Sequence, residues 1–403
     1  MREIKLKNGM NVCIKTNPDT PRIALSINFS IVNPEKYAGQ YLLMNRLLLK
    51  GSQRYSSEEL STILDENAIE LYTEMKYDYL RFRFVALNED FELALSILAD
   101  IVCNSTFEEF EKEKAKLKGE IVAELDSAKV RVSQLFTENI YRDHFYGHCY
   151  NMILDQIDNV TLEDVKNSYY EILNNSRKTA VIVGDIEAEK VKAILDNTFE
   201  AIPEPKDIES NIVAPSKLDV HTYVEYIKED AQQAQIIQGW LVPAIGHEDY
   251  PKLMLLNVIL GASGLSSRLF LELREKKGLA YTVRSSYENH STAAVFSIYI
   301  GTEPSNIQTS IDGFKEEIEK IKTILVSEEE LHNAKNNLIG KQQYITETNI
   351  QQANLMAYHS ICGCAFDYQK ELIKKLRNVT SQELLECANK YFTDNSVLAV
   401  LRP

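Results

Sequence analysis

Arg274 and Tyr281 are the two residues of this chain whose types and spacing most clearly indicate chemistry. They lie in the stretch 264–281, which reads G-L-S-S-R-L-F-L-E-L-R-E-K-K-G-L-A-Y. The apolar spacing predicts a helix, and Gly278 fits the left-handed residue that follows a last helical turn. Residues 279–283 are typical of a strand. The sequence therefore predicts a fixed cation on a helix beside a phenol at the entrance of a strand.

The pattern R-L-F-x-x-L-R-E-x-x-G-L-A-Y at residues 268–281 resembles a known motif. It is similar to the second-half motif of the pitrilysin-type, or insulinase-type, zinc peptidases, which include the mitochondrial processing peptidases and their bacterial relatives. The resemblance implies that Arg274 and Tyr281 hold a substrate backbone opposite a zinc ion. The alternative is that Tyr281 is an interface aromatic residue and Arg274 a solvated helix charge.

Active members of that family carry H-x-x-E-H on a buried helix, where two histidines ligate Zn²⁺ and the glutamate is the base for water. Residues 39–51 here read G-Q-Y-L-L-M-N-R-L-L-L-K-G, so Leu42 and Arg46 fall on the histidine positions and Asn45 on the base. Leucine has no lone pair, a guanidinium repels a dication, and an amide takes no proton at neutral pH. These replacements exclude this catalytic zinc site.

The family's third zinc ligand lies on a later helix, and the stretch 113–121, E-K-A-K-L-K-G-E-I, resembles its E-R-x-V-I-L-x-E-I. The resemblance places Glu120 on that ligand position. A lone carboxylate binds zinc poorly, so we interpret Glu120 as a structural position. Because Arg46 replaces one ligand and Glu120 remains, we expect the two side chains to form an ion pair in the vacated site.

Two other clusters have side chains that could ligate a metal. His144 and His148 are four residues apart, but the glycine and tyrosines around them indicate a loop. The second cluster, H-S-I-C-G-C at residues 359–364, has no second pair nearby, and buried reduced cysteines are common. The six cysteines are scattered and predict free thiols. We therefore expect no metal and no other cofactor in this chain.

The net charge of −15 argues against a nucleic-acid partner, because phosphate neutralisation requires a basic surface. The first residues, M-R-E-I-K-L-K-N-G-M, contain no apolar signal region, and no window of the sequence is long enough to span a bilayer. These features predict a cytoplasmic protein without a membrane partner.

Two parts of the chain resemble each other, which predicts an internal duplication. The pattern N-V-T-x-x-D-V that begins at Asn159 is echoed by N-V-T-x-x-E-L at Asn378, 219 positions later. Three of the ten prolines lie between the two parts, in 202–219. We predict an α+β protein with two homologous halves, 1–205 and 219–403, joined by a linker at 206–218. Each half should be a mainly antiparallel sheet backed by helices, as in the resembling family.

Hydrophobic periodicity predicts the elements of the first half. The expected strands are 5–15, 22–32, a hairpin over 70–87 and 178–183, and the expected helices are 41–49, 57–67, 90–102, 106–128 and 161–173.

The resemblance and the lost zinc residues together predict the zinc-free subunit of a heterodimeric metallopeptidase. Arg274 and Tyr281 would bind peptide and stabilise the oxyanion, and a homologous partner would carry the zinc. The alternative is a non-catalytic scaffold or peptide-binding protein of the same fold. An intact Arg274–Tyr281 pair favours the peptidase hypothesis, since a scaffold does not need it. A self-sufficient metallopeptidase is the third hypothesis.

Overall fold

The structure, a computed structural model, describes residues 1–205 and 210–403, which form two compact units. Unit 1 consists of Met1–Glu120, Asn151–Ile212 and Tyr344–Tyr368. Unit 2 consists of Ile121–Tyr150, Val213–Gln343 and Gln369–Pro403. Part of the predicted linker, residues 206–209, lies outside the described residues. The predicted limits of the two homologous halves, at 205 and 219, stay a prediction.

The strands of the described chain are short and lie in two sheets. In chain order they are β1 (Arg2–Lys5), β2 (Asn11–Thr16), β3 (Arg22–Ser30), β4 (Glu70–Met75), β5 (Tyr79–Leu87), β6 (Lys178–Gly184), β7 (Thr222–Ile227), β8 (Ala234–Val242), β9 (Ala280–Asn289), β10 (Ala294–Thr302) and β11 (Val397–Arg402).

The α-helices cover the faces of these sheets. They are α1 (Gln40–Leu47), α2 (Ser57–Glu66), α3 (Phe91–Asn104), α4 (Phe110–Leu125), α5 (Ala128–Ile140), α6 (Tyr150–Gln156), α7 (Leu162–Asn175), α8 (Ala188–Thr198), α9 (Tyr250–Asn257), α10 (Ile307–Thr323), α11 (Glu328–Tyr344), α12 (Asn349–Ile361), α13 (Tyr368–Asn378) and α14 (Ser381–Tyr391). Two further segments, Val258–Ala262 and Phe270–Lys276, are π-helical.

In unit 1, the described strands form a sheet in the order β1-β2-β6-β3-β5-β4. All neighbouring strands are antiparallel except β2 and β6. The two central strands, β3 and β6, are almost fully buried. Helix α12 packs on both of them, although it comes from the other end of the chain. This sheet with its covering helices forms the core of the unit.

In unit 2, the described strands form a sheet in the order β7-β11-β8-β10-β9, in which β7 and β11 are the parallel pair. Successive residues on a strand face opposite sides. On β8, Gly239 meets α5, because a Cβ at this position would stand 2.6 Å from the ring of Phe136. Its neighbour Trp240 packs on Phe392 at the end of α14, with ring centroids 5.1 Å apart. The sheet is thus covered by helices on two faces, which confirms the predicted α+β class.

The first predicted strand, 5–15, is wrong, because a tight turn divides it. The amide of Leu6 donates to the carbonyl of Met10 at 2.9 Å, and Gly9 has a φ of 79°. A left-handed residue ends strand geometry, and glycine adopts it without steric cost. The turn therefore separates β1 from β2.

The predicted helix 106–128 is also longer than the observed one, α4. Ser127 begins a new helix, α5, by accepting a hydrogen bond from the amide of Val130 at 3.5 Å. In the part of the chain that the structure describes, no helix combines the length and the apolar character that a membrane crossing requires.

Candidate functional site

Helix α1 carries Leu42, Asn45 and Arg46, the three positions that the resemblance places on the zinc motif. It follows Gly39, which has a φ of 87° and leaves no room for a side chain, since a Cβ there would lie 2.6 Å from Ile153. Residues three and four positions apart share a helical face. Leu42, Asn45 and Arg46 therefore lie on one face, opposite the residues that anchor α1 in the core of unit 1.

Arg46 and Glu120 form the ion pair that was expected from the sequence. The guanidinium donates from Nη1 to Glu120 Oε2 at 2.8 Å and from Nη2 to Glu120 Oε1 at 2.9 Å. Such a bidentate contact matches the geometry of a guanidinium to that of a carboxylate. The side chain of Arg46 is 23% exposed and that of Glu120 is 46% exposed. The pair therefore lies at the surface of unit 1 and is partly shielded from water.

Two residues that the sequence interpretation missed complete this ion cluster. Arg46 Nε donates to Glu113 Oε2 at 3.1 Å, and Lys50 Nζ lies 2.9 Å from Glu113 Oε1. Glu113 is buried, with only 4% of its side chain exposed. Glu113 precedes Glu120 by two turns of α4, a spacing that could have indicated one shared helical face. Lys50 lies just beyond the end of α1, so helical spacing gave no signal for it.

The cations of the ion cluster lower the pKa values of both glutamates. Hydrogen bonding from Arg46 lowers the pKa of Glu120 below its usual 4.5. For Glu113, burial acts to raise the pKa, but hydrogen bonds from Lys50 and Arg46 outweigh it, and the pKa is lowered as well. Both carboxylates are consequently ionised at neutral pH and neutralised by cations of their own chain.

This cluster does not fit zinc. The guanidinium of Arg46 has no lone pair to donate and occupies both oxygens of Glu120. The side-chain oxygen of Asn45 is buried without a hydrogen-bond partner, and Leu42 is 39% exposed. Across residues 1–205 and 210–403, no group of three or more His, Cys, Asp or Glu side chains could hold a metal ion.

The side chains of the two other candidate metal clusters are not arranged as a set of metal ligands. His144 accepts the amide of Tyr146 at Nδ1 and contacts the carbonyl of Val213 through Nε2, at 2.9 Å. His359 is buried, and burial lowers its pKa to about 4. Burial raises the pKa of the nearby Cys362 thiol to about 12, which keeps it protonated.

The helical segment before Tyr281 has π-helical rather than regular α-helical turns at Phe270–Lys276. The amide of Lys277 donates to the carbonyl of Glu272, five residues earlier, and Gly278 then adopts the predicted left-handed conformation, with a φ of 64°. Short π-helical segments occur frequently at functional sites. The wider turns place Arg274 directly behind the start of β9.

Arg274 is held against Tyr281 by contacts with both the backbone and the ring. Its Nη1 donates to the carbonyl oxygen of Tyr281 at 2.8 Å. The guanidinium carbon lies 4.8 Å from the centroid of the Tyr281 ring and 4.6 Å from that of Phe270. A cation within about 6 Å of an aromatic face is attracted to it. The two residues therefore form one unit, as the sequence indicated, although their roles stay a prediction.

Tyr281 occupies a β-bulge, which the sequence did not indicate. Ala280 pairs with Thr302 and Thr282 with Gly301, so Tyr281 has no opposite residue on β10. Bulges bend a strand, re-aim a side chain and are over-represented beside active sites. Tyr281 is accordingly 79% exposed. The bulge thus presents a phenol to the solvent at the beginning of the sheet's edge strand.

An open pocket of about 450 Å³ lies beside Tyr281 in unit 2. Mostly polar and aromatic residues from the start of α5, from β9 and β10 and from the beginning of β8 and the residue before it line the pocket: Ser127, Ala128, Lys129, Gln233, Gln235, Tyr281, Thr282, Tyr299 and Gly301. Apart from Tyr281, none of these residues was singled out from the sequence. Their proximity depends on the packing of α5 on a sheet whose strands lie far along the chain from it.

Fold and site together define a protein of two α+β units, with an ion cluster around Arg46 in one and an Arg274–Tyr281 pair with an exposed phenol in the other. Residues 12–155 match the model of the insulinase family of peptidases, M16, and residues 159–338 match that of the peptidase M16 inactive domain. The chain belongs to the insulinase-type M16 peptidase family. This confirms the predicted family.

Relatives match over nearly the whole chain. The uncharacterized zinc protease YmxG of Bacillus subtilis is 24% identical over 98% of this chain and 97% of that protein. The probable inactive metalloprotease YmfF of the same organism is 23% identical over 88% of this chain and 87% of its own length. A protease from Helicobacter pylori has the same fold, with a TM-score of 0.90, 22% identity, and coverage of 100% and 99%. The present chain therefore shares the fold of this family over nearly its whole length.

Proposed function

We propose that this chain is the zinc-free subunit of a heterodimeric M16 peptidase, in which Arg274 and Tyr281 bind and orient the peptide. A homologous partner carries the zinc, which supplies the Lewis-acid chemistry of hydrolysis. One observation carries the proposal: the Arg274–Tyr281 unit is intact and exposed in a chain whose zinc-motif positions are filled by an internal ion cluster.

The phenol of Tyr281 is the group that would stabilise charge. As water attacks a peptide bond, the carbonyl oxygen becomes an oxyanion, and a hydrogen-bond donor already aimed at it lowers the barrier. Arg274 fixes the carbonyl of Tyr281 and lies over its ring, so the phenol is positioned before substrate arrives. Positioning of this kind contributes to rate because no reorganisation is needed during the reaction.

The location of Tyr281 also supports binding of an extended peptide. Among the described strands of unit 2, β9 pairs with β10 alone and is an edge strand. An extended segment can add to such an edge through main-chain hydrogen bonds, and its alternate side chains then meet the faces of the sheet. A substrate lying along β9 would pass the phenol of Tyr281 at the bulge.

The test is peptide cleavage by the chain reconstituted with its zinc-bearing partner. Tyr281→Phe should lower kcat by about 10²–10³, the usual effect of losing one oxyanion donor, while assembly stays intact. Arg274→Ala should also raise KM, because both orientation and charge are lost. Each subunit alone serves as a control.

The scaffold hypothesis is the other outcome of this experiment. If the partner alone cleaves as fast as the complex, or if Tyr281→Phe has no effect on kcat, the shared-site mechanism is wrong. The chain would then be a non-catalytic scaffold or peptide-binding protein of the same fold.

A further inference from the structure

Two cations in unit 2 lack a carboxylate partner although the chain is strongly acidic. Lys129 Nζ and the guanidinium carbon of Arg284 each lie 5.6 Å from the ring centroid of Tyr299. No carboxylate oxygen of the described residues lies within 4.0 Å of either cation. Both cations thus lie near the same aromatic ring.

The floor beneath these cations is polar and buried. Tyr299 is 9% exposed, and its hydroxyl donates to Gln235 Oε1 at 2.5 Å. Burial raises the pKa of Tyr299, so the hydroxyl keeps its proton. Beside them, a Cβ on Gly301 would stand 3.2 Å from both the Tyr299 hydroxyl and Gln235 Oε1. The lack of a side chain at Gly301 therefore leaves the floor of the pocket accessible.

Strand register places Arg284 and the pocket on the same face of the sheet. Arg284 pairs with Tyr299, and Thr282 pairs with Gly301. Directly opposite residues on neighbouring strands point to the same face. Lys129 reaches this face from the first turn of α5, and Tyr281 lies at the pocket's rim. The cations therefore lie beside the phenol and along the edge strand to which an extended peptide would add.

An anion bound near the Tyr299 ring would be attracted to both cations. Stacking on Tyr299 restricts both long side chains, so less conformational entropy is lost when they bind. The pocket, at about 450 Å³, has room for a side chain of a peptide. A carboxylate is the ligand that matches two cations above a floor of hydroxyl and amide groups.

We propose that Lys129 and Arg284, supported by Tyr299, form a subsite that binds a carboxylate of an extended peptide. The inference rests on the proposed peptide-binding function and extends it by naming the substrate class, which is acidic peptides. The carboxylate comes from an aspartate or glutamate side chain or from the peptide's C-terminus.

The experiment compares the affinities of matched peptides for the full chain by fluorescence anisotropy. One set of peptides, acetylated and amidated at its ends, carries a single Glu at each position in turn, and a second set carries Gln instead. A third peptide without Glu keeps its free C-terminal carboxylate. The protein variants are Lys129→Gln and Arg284→Gln. Lys315→Gln, an exposed position on α10, is the control with the same change in net charge.

The best Glu peptide should bind about fivefold more tightly than its Gln counterpart, which is the scale of a partly exposed charge pair. Lys129→Gln and Arg284→Gln should abolish this preference, and Lys315→Gln should retain it. If only the free C-terminus confers the preference, the subsite binds the terminal carboxylate. The assignment is overturned if Glu and Gln peptides bind equally, if neither binds, or if Lys315→Gln loses the preference too.

Failure of this inference is separable from failure of the proposed function. The subsite is judged by the preference of the chain for a carboxylate, whereas the peptidase role is judged by the effect of Tyr281→Phe on kcat in the reconstituted complex. A retained carboxylate preference with an unaffected kcat would support the subsite and contradict the shared-site mechanism.

Discussion

The Arg46 cluster of unit 1 and the Arg274–Tyr281 region of unit 2 both contain an arginine at a position that the family resemblance marks as functional. Arg46 is saturated by two glutamates of its own chain. Arg274 instead donates to a backbone carbonyl and lies over two aromatic rings, beside an exposed phenol. The first region has satisfied its charges internally. The second keeps donor groups available for a ligand.

This difference separates a charge cluster that is neutralised within the chain from donor groups beside an exposed phenol. A carboxylate without a nearby cation repels neighbouring acids, and Arg46 supplies a permanent positive charge beside Glu113 and Glu120. An ion cluster thus occupies the position that the family resemblance places on the zinc motif. The predictions below test whether one region serves stability and the other serves binding.

The largest effect on stability is expected for Arg46→Ala. The change leaves the buried carboxylate of Glu113 with Lys50 as its remaining close cation. An under-satisfied buried charge costs about 2 kcal/mol of the free energy of unfolding. Asn45→Ala should cost less than about 1 kcal/mol, since the oxygen that it removes makes no hydrogen bond. Chemical denaturation of both variants measures the difference, and equal losses would contradict a structural role of the cluster.

A smaller effect should appear in the pH dependence of stability. The pKa values of Glu113 and Glu120 are lowered in the folded state. The stability that they contribute is therefore fully present above their ordinary pKa of about 4.5, and it is lost as the pH falls through the folded-state values. Wild type and Arg46→Gln should differ in free energy of unfolding at neutral pH and converge on acidification.

The measurement is urea denaturation of the two proteins at a series of pH values, and Lys315→Gln controls for the change in net charge. A difference that stays constant from neutral pH until the protein unfolds in acid, well below the ordinary glutamate pKa, would show that the two carboxylates do not carry the effect of Arg46.

The Arg46–Glu120 pair could be predicted because both residues lie on regular helices within a motif of known spacing. The pocket beside Tyr281 could not. The periodicity of Val132, Phe136 and Ile140 indicates that α5 buries one face, but local spacing does not say which sheet covers it. Helix α5 packs on the sheet of unit 2, and this long-range contact is what places Lys129 near Tyr281.

Local irregularities were likewise beyond the sequence interpretation. The apolar pattern at 268–276 fits an ordinary helix, and the π-helical turns follow from how that segment packs and ends at Gly278. The bulge at Tyr281 depends on where β9 and β10 lose register. The hydrophobic period of a segment indicates whether it is a helix or a strand. The position of a one-residue bulge, in contrast, depends on the contacts between the two paired strands.

The smallest effect on stability is expected at Tyr281, where the largest effect on activity is proposed. The residue is 79% exposed, so Tyr281→Phe removes a solvated hydroxyl and little packing. Surface changes of this kind alter the free energy of unfolding by less than about 0.5 kcal/mol. Chemical denaturation under the same conditions as for Arg46→Ala tests this, with Tyr72→Phe, at a second exposed tyrosine (50%), as the control. If Tyr281→Phe destabilises the chain as much as Arg46→Ala does, the phenol holds the structure of unit 2 together. The contrast between a structural region and a ligand-binding region would then be wrong. A phenol that is needed for stability would be explained by folding alone, without a bound substrate.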